Sequence, residues 1–153
     1  MTAILGVTHT PPDFDVPRNA CDCHVHVFGP HVRYPLWSGR SYTPGEASIE
    51  QLTALHRVLG IDRVVVVHPS PYGADNAVTV DALRALGGKS RGVAVIDETT
   101  SDAALADMHQ AGVRGVRVNL ASAGESDPTV AKRALEWAAH RVAPLASDRR
   151  DLE

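Results

Sequence analysis

Cysteine is scarce in this sequence: two of its 153 residues, Cys21 and Cys23, are cysteine. With one residue between them a bond would be strained. A disulfide-built extracellular fold is therefore not supported, and a reducing cytoplasm is the expectation. Long apolar runs are missing too. No stretch approaches the roughly 18 residues of a membrane-crossing helix. The apolar run 3–7 is too short, and lacks the flanking basic residues, for a signal peptide. Neither sign of charge is in excess: the net charge is −3 and the 15 basic residues are scattered. That predicts neither a nucleic-acid partner nor a polybasic membrane contact. Three common catalytic signatures are absent as well: a phosphate-binding glycine fingerprint, a G-x-S-x-G elbow and a CxxC pair.

What is present is the mix of a single globular domain, 44% hydrophobic and 22% charged, long enough for a sizeable core. Residues 1–20 read as an irregular arm, because Pro11, Pro12 and Pro17 interrupt helix and sheet alike. A pattern then recurs four times: apolar run, polar turn, amphipathic segment, glycine. The apolar runs are 21–28, 64–67, 92–96 and 113–120. Four consecutive valines, Val64 to Val67, read as a strand buried on both faces. The first helix is predicted to start at Ser48, with Gln51 completing a capping box, to carry a stripe of Leu52, Leu55, His56 and Leu59, and to stop at Gly60. The second spans about 77–86 before Gly87-Gly88. Ser101 caps a third with Leu105 and Met108 inward, and Gly112 ends it. Asp127 and Pro128 open a fourth that ends near Val142. Four β-then-α units about 25–30 residues apart predict an α/β fold with a parallel sheet. An open doubly wound sheet and half of a (β/α)8 barrel of about 250 residues both fit this periodicity.

The sharpest chemical signal is Asp22-Cys23-His24-Val25-His26. On a strand alternate side chains share a face. His24 and His26 then point one way, with Asp22 beside them, and can bind one divalent metal. Two histidines on a half-exposed strand, or one satisfied by a core hydrogen bond, are the competing reading. Cys23 is expected on the helix side as a packed small hydrophobe. The loop 68–76 follows the valine strand, where parallel sheets bind ligands. It offers Ser70, Tyr72 and Asn76, although these residues alone favour a plain turn with an Asp or Asn cap. Arg117, near the end of the fourth run, can clamp a carboxylate in two-point fashion or pair with a neighbouring acid. Arg114, facing the other way, is the weaker candidate. The loop 29–47 carries His31, Arg33, Tyr34, Trp37, Arg40 and Tyr42, and suits either an active-site lid or a surface excursion. His9, His56, His109 and His140 lie in the arm or on helices and are expected to be structural or solvent-facing.

Four segments carry a family resemblance. Asp22-Cys23-His24-Val25-His26-Val27-Phe28-Gly29-Pro30 resembles the first-strand motif of amidohydrolase-related proteins. Three more are similar to the branch of 2-pyrone-4,6-dicarboxylate lactonases and sugar-acid lactone hydrolases. They are Tyr42-Thr43-Pro44 with Ala47-Ser48; Pro69-Ser70 with Tyr72-Gly73 and Asp75-Asn76; and Gly112-Val113-Arg114-Gly115-Val116-Arg117. The resemblance spans about residues 17–145 and implies a (β/α)8 barrel. The activity it implies is hydrolysis of a lactone or similar carbonyl bond in a small carboxylated substrate. His24 and His26 would be the catalytic pair, and Tyr42, Ser70 and Arg117 would contact substrate carboxylates or hydroxyls. In most of the superfamily such histidines bind zinc or another divalent ion, which activates water. The lactonase-like branch works without a required metal, so the resemblance leaves zinc and no cofactor both open. His68 stands where this branch has glutamine.

The same resemblance leads us to expect an N-terminal half barrel, 21–145, followed by a charged tail, 146–153. The later histidines and the last-strand aspartate that acts as general base would then be missing, and activity would be in doubt. A shifted reading frame or early stop would produce this, and sequencing the coding DNA beyond the stop tests it. Open sheet edges would invite self-association. A metal-dependent decarboxylase or lyase on the same barrel, and a non-catalytic ligand-binding fragment, are the alternatives.

Overall fold

A computed structural model describes residues 2–4, 6–120, 124 and 126–146. Within the segment expected to be irregular, β1 (Thr2–Ile4) and β2 (Val7–His9) pair as an antiparallel hairpin. Its turn includes Gly6 at φ +76°, a conformation glycine adopts freely. The prolines begin only at Pro11, which is why they do not prevent the pairing.

β3 (Cys21–Val25), β4 (Arg63–Val67), β5 (Ser90–Ala94) and β6 (Val113–Val116) form one parallel sheet in the order β3-β4-β5-β6. Sequential order with no reversal decides between the two closures. A doubly wound sheet reverses at a switch point, whereas a barrel adds each strand beside the last. β5 lies two residues earlier than expected, and β6 stops four residues short, leaving Arg117 just past the strand end.

α1 (Ile49–Leu59) begins at the Ser48 capping box, with Ser48 Oγ accepting from the Gln51 amide and Gln51 Oε1 accepting from the Ser48 amide, and ends at Gly60 in the left-handed region. α2 (Ala77–Leu86) and α3 (Asp102–Ala111) follow their expected bounds. α4 (Pro128–Ala146) runs past Val142, with Pro144 inside its last turn. Proline there removes a single late N–H from the ladder, which ends a helix less abruptly than one in its middle. Residues 147–153 of the expected charged tail lie outside the described residues.

The core sits between sheet and helices. Val64 and Val66 of β4 and Ala94 of β5 meet Val78, Ala82 and Leu83 of α2 and Leu105 and Met108 of α3, all at most 6% exposed. The opposite face of the sheet is the one a closed barrel would enclose.

Candidate functional site at the carboxyl ends of the strands

Register fixes which way the first motif points. Asp22 pairs with Val64 and Val25 with Val66, so β3 carries one extra residue between these pairs. Neighbours in a parallel ladder share a face, and Val64 and Val66 are buried on the helix side. Asp22 therefore faces the helices, not the histidine side expected from strict alternation. There its Oδ2 accepts a hydrogen bond from His56 Nε2 at 3.2 Å. His56, 7% exposed on α1, is thus structural. Cys23 is exposed, not packed against helices. A bulge displaces the alternation that a sequence implies.

His24 and His26 do share the inner face. Their rings stand edge to face with centroids 5.2 Å apart, and Phe28 follows 6.1 Å beyond His26. His26 Nδ1 donates to the Val67 carbonyl at 2.8 Å. A carbonyl only accepts, so Nδ1 carries the proton and, in the neutral ring, Nε2 keeps the lone pair. Orienting a histidine through its second nitrogen is the usual support for a ligating or proton-handling ring.

Arg117 arrives from the other flank. Its amide donates to the Ala94 carbonyl at 2.8 Å, and its Nη1 to the His68 carbonyl at 3.2 Å. Val67 and His68 are consecutive, so two adjacent carbonyls at the end of β4 hold His26 on one side and Arg117 on the other. Among the described residues Arg117 forms no ion pair. The paired-acid reading is not realised there, and among the same residues the remaining guanidinium N–H groups stay available.

His68 itself is fully buried. Its Nε2 donates to the Gly73 carbonyl at 3.1 Å and its Nδ1 accepts from Thr79 Oγ1 at 2.9 Å. Burial lowers its pKa to about 4, against smaller opposing pulls from the Gly73 carbonyl and Asp75. It is a neutral clasp between the loop and α2. Asn76 is likewise structural: its amide bridges the Ala74 and Val95 carbonyls and the Val95 amide. The helix-capping role goes instead to Asp75, which accepts from the Ala77 amide.

Ser70 lines a cleft of about 300 Å³ with Trp37, Gly73, Val95, Asp97 and Asn119. Trp37 packs over Gly73 and is anchored by its amide on the Pro71 carbonyl at 2.8 Å. The first part of the long loop is also fastened at Asp81, which accepts from Arg33 and from the Tyr34 hydroxyl. Tyr42, in its second part, is 47% exposed and makes no hydrogen bond or ring contact with the other candidates. Tyr72 is 3% exposed with its hydroxyl lacking a hydrogen bond among the described residues. Burial raises its pKa.

His24 and His26 could contribute two imidazoles to a metal. No group of three or more His, Cys, Asp or Glu able to hold one is found among the described residues. A separate apolar cavity of about 140 Å³, lined by Ala94, Leu105, Met108, Val113 and Val142, lies on the helix side. It is packing space beneath α4, with His109 and Arg114 also in its lining but neither His24 nor His26. Sequence reasoning missed Trp37 as a cleft wall and His56 as the partner of Asp22; the burial of a histidine within an apolar helical stripe was the available signal for the latter. No helix among the described residues is long and apolar enough to cross a membrane.

The amidohydrolase family profile matches residues 21–146. A 2-pyrone-4,6-dicarboxylate hydrolase of Comamonas testosteroni is 51% identical over 108 residues, covering 71% of this chain and 35% of that protein. A 4-sulfomuconolactone hydrolase of Hydrogenophaga intermedia is 36% identical over 138 residues, covering 87% of this chain and 46% of that protein. An apo structure from Agrobacterium tumefaciens superposes with a TM-score of 0.64 at 28% identity, covering 82% of this chain and 47% of that one. Another, described as a probable 2-pyrone-4,6-dicarboxylic acid hydrolase of Acinetobacter baumannii with citric acid bound, gives 0.60 at 27% identity, covering 66% and 38%. The chain spans less than half the length of each of these relatives.

Proposed function

Because this chain belongs to the amidohydrolase family, we propose that it carries the first half of a barrel hydrolase site acting on a lactone or similar carbonyl bond of a small carboxylated substrate. One observation carries this reading: His26 and Arg117 are held by the adjacent carbonyls of Val67 and His68, at the barrel end where catalytic groups gather. The lactone hydrolases among the relatives, and the neighbour with citric acid bound, support the same substrate class. In this reading residues 21–145 act as the catalytic unit, with 1–20 and the end of the chain outside it. The free thiols of Cys21 and Cys23 suit the cytoplasm.

The chemistry follows from the donors. Arg117 offers a planar fork to a substrate carboxylate. Ser70, from its cleft, and Tyr42, from the long loop, offer hydroxyls to the substrate's remaining oxygens. His26, with Nδ1 committed to Val67, turns Nε2 to the reacting centre, where its protonated form donates to the scissile carbonyl oxygen, and His24 flanks it. Water then adds to that carbonyl as a base outside the described residues takes its proton, and the acyl C–O bond breaks as that proton passes to the leaving ring oxygen, giving the open-chain acid. A zinc ion held by His24 and His26 would supply Lewis-acid polarisation and an activated water, and would need further ligands beyond these two.

The test is hydrolysis of a panel of lactones and cyclic dicarboxylate esters by the 153-residue chain, with and without added zinc. The His24→Ala, His26→Ala double variant is the control. Turnover is expected to fall at least about a hundredfold in the variant, with circular dichroism unchanged. A folded wild-type chain with no turnover on any substrate overturns the enzymatic reading for this chain and leaves a ligand-binding fragment.

A further inference from the structure

The bulge in β3 leaves Cys23 and His24 without register partners on β4. An extra residue of this kind frees peptide groups from the ladder and lets the strand turn locally. Something must then fix the direction in which His24 leaves the strand. Asp22 is the group in place to do so. Its Oδ1 accepts from the His24 amide at 3.4 Å, while its Oδ2 accepts from His56 Nε2 at 3.2 Å. The two ends of this link differ in exposure. The His56 side chain is 9% exposed and that of Asp22 37% exposed. The His56 carbonyl, in turn, accepts the Gly60 and Ile61 amides at the end of α1.

We propose that Asp22 and His56 form a positioning pair that ties the backbone of His24 to α1 and sets the aim of the His24 imidazole beside His26. His56 holds the carboxylate through one oxygen, and the carboxylate holds the bulged peptide through the other. Neither residue reaches the inner face, so neither touches substrate; both act through His24. The inference rests on the reading of His24 as a residue of the reacting centre for its functional meaning, but its geometry does not depend on turnover.

The experiment uses nuclear magnetic resonance on the 153-residue chain and its His56→Leu, His56→Gln and Asp22→Ala variants. Two local quantities are read: hydrogen exchange of the His24 amide, and the through-space contact between the His24 and His26 rings. In His56→Leu and Asp22→Ala, His24 exchange should accelerate about tenfold, the weight of a lost hydrogen bond to a charged group, and the ring contact should weaken. In His56→Gln, whose side-chain amide nitrogen falls near the position of Nε2, both should return toward wild type. Amides in β4 and β5 are the control. Unchanged exchange and ring contact in both disrupting variants would overturn the proposal. So would uniform acceleration across β4 and β5, which marks a merely structural role, or failure of glutamine to rescue. Should His56→Leu not fold, the Asp22→Ala and His56→Gln pair decides alone. A chain without turnover sinks the enzymatic reading and leaves this outcome untouched.

Discussion

At the scale of single residues, burial and hydrogen-bond direction determine what each polar group does. His68 is buried with both ring nitrogens committed, and its pKa is lowered to about 4 from an ordinary 6.5. The unfolded chain therefore binds a proton that the folded chain refuses. Stability from this residue is fully present above about pH 6.5 and is lost as pH falls toward 4, by roughly 3 kcal/mol in all. Thermal melting against pH should show this acid slope in the wild type and a flatter one in His68→Gln; equal slopes would count against it. Arg117 makes the opposite case: one N–H is spent on the His68 carbonyl and, among the described residues, the fork remains open. If the chain turns over a carboxylated lactone, Arg117→Ala should lower kcat/KM roughly 10- to 100-fold through KM, the weight of a charge-assisted hydrogen bond. An unaltered KM would remove Arg117 from the carboxylate.

At the scale of elements, local signals and close packing act together. α1 shows the first: the Ser48–Gln51 box and Gly60 stop were readable because they depend on neighbours within a few residues. Ser48→Ala should cost about 1 kcal/mol, measured as a lower denaturant midpoint with an unchanged slope. Gly92 of β5 shows the second. A Cβ there would lie 2.5 Å from Leu83 Cδ1 and 3.2 Å from Val113 Cγ2. Leu83 is 1% exposed and has little room to withdraw. Gly92→Ala should therefore destabilise by about 1–3 kcal/mol through overpacking, despite the usual gain from replacing glycine in a strand. A melting temperature equal to or above wild type would contradict that packing. β5 and β6 end before their apolar runs do, because those runs continue past the last ladder bond and nothing in composition marks where pairing stops.

At the scale of the whole molecule, four parallel strands in sequential order leave β3 and β6 as edges among the described residues. One face of the sheet is covered by helices and the other is the face a barrel closes on. Unpaired strand edges template pairing with other chains. A two-fold axis along the barrel direction would keep all eight strands of two copies parallel, with β6 of each beside β3 of the other. Light scattering should report concentration-dependent association of the 153-residue chain. A sample that stays monomeric at high concentration would show that the edges are protected by other means.

What the sequence determined by itself was set by short-range chemistry, although the local hairpin of β1 and β2 escaped it. The four βα units follow from apolar runs punctuated by glycine, the helix starts from Ser48 and Ser101, and the shared face of His24 and His26 from their spacing. The family was legible for the same reason, since its motifs are short and lie in order. What only the tertiary structure decided depended on groups far apart in the chain. The bulge that turns Asp22 toward His56 is defined by a register with β4, about forty residues away. The pinning of His26 and Arg117 on consecutive carbonyls at the end of β4 needs all four strands side by side. The choice of barrel order over a doubly wound sheet is a property of the ladder as a whole. Periodicity tells each strand which faces it has, whereas hydrogen bonding between strands tells it which neighbour each face will meet.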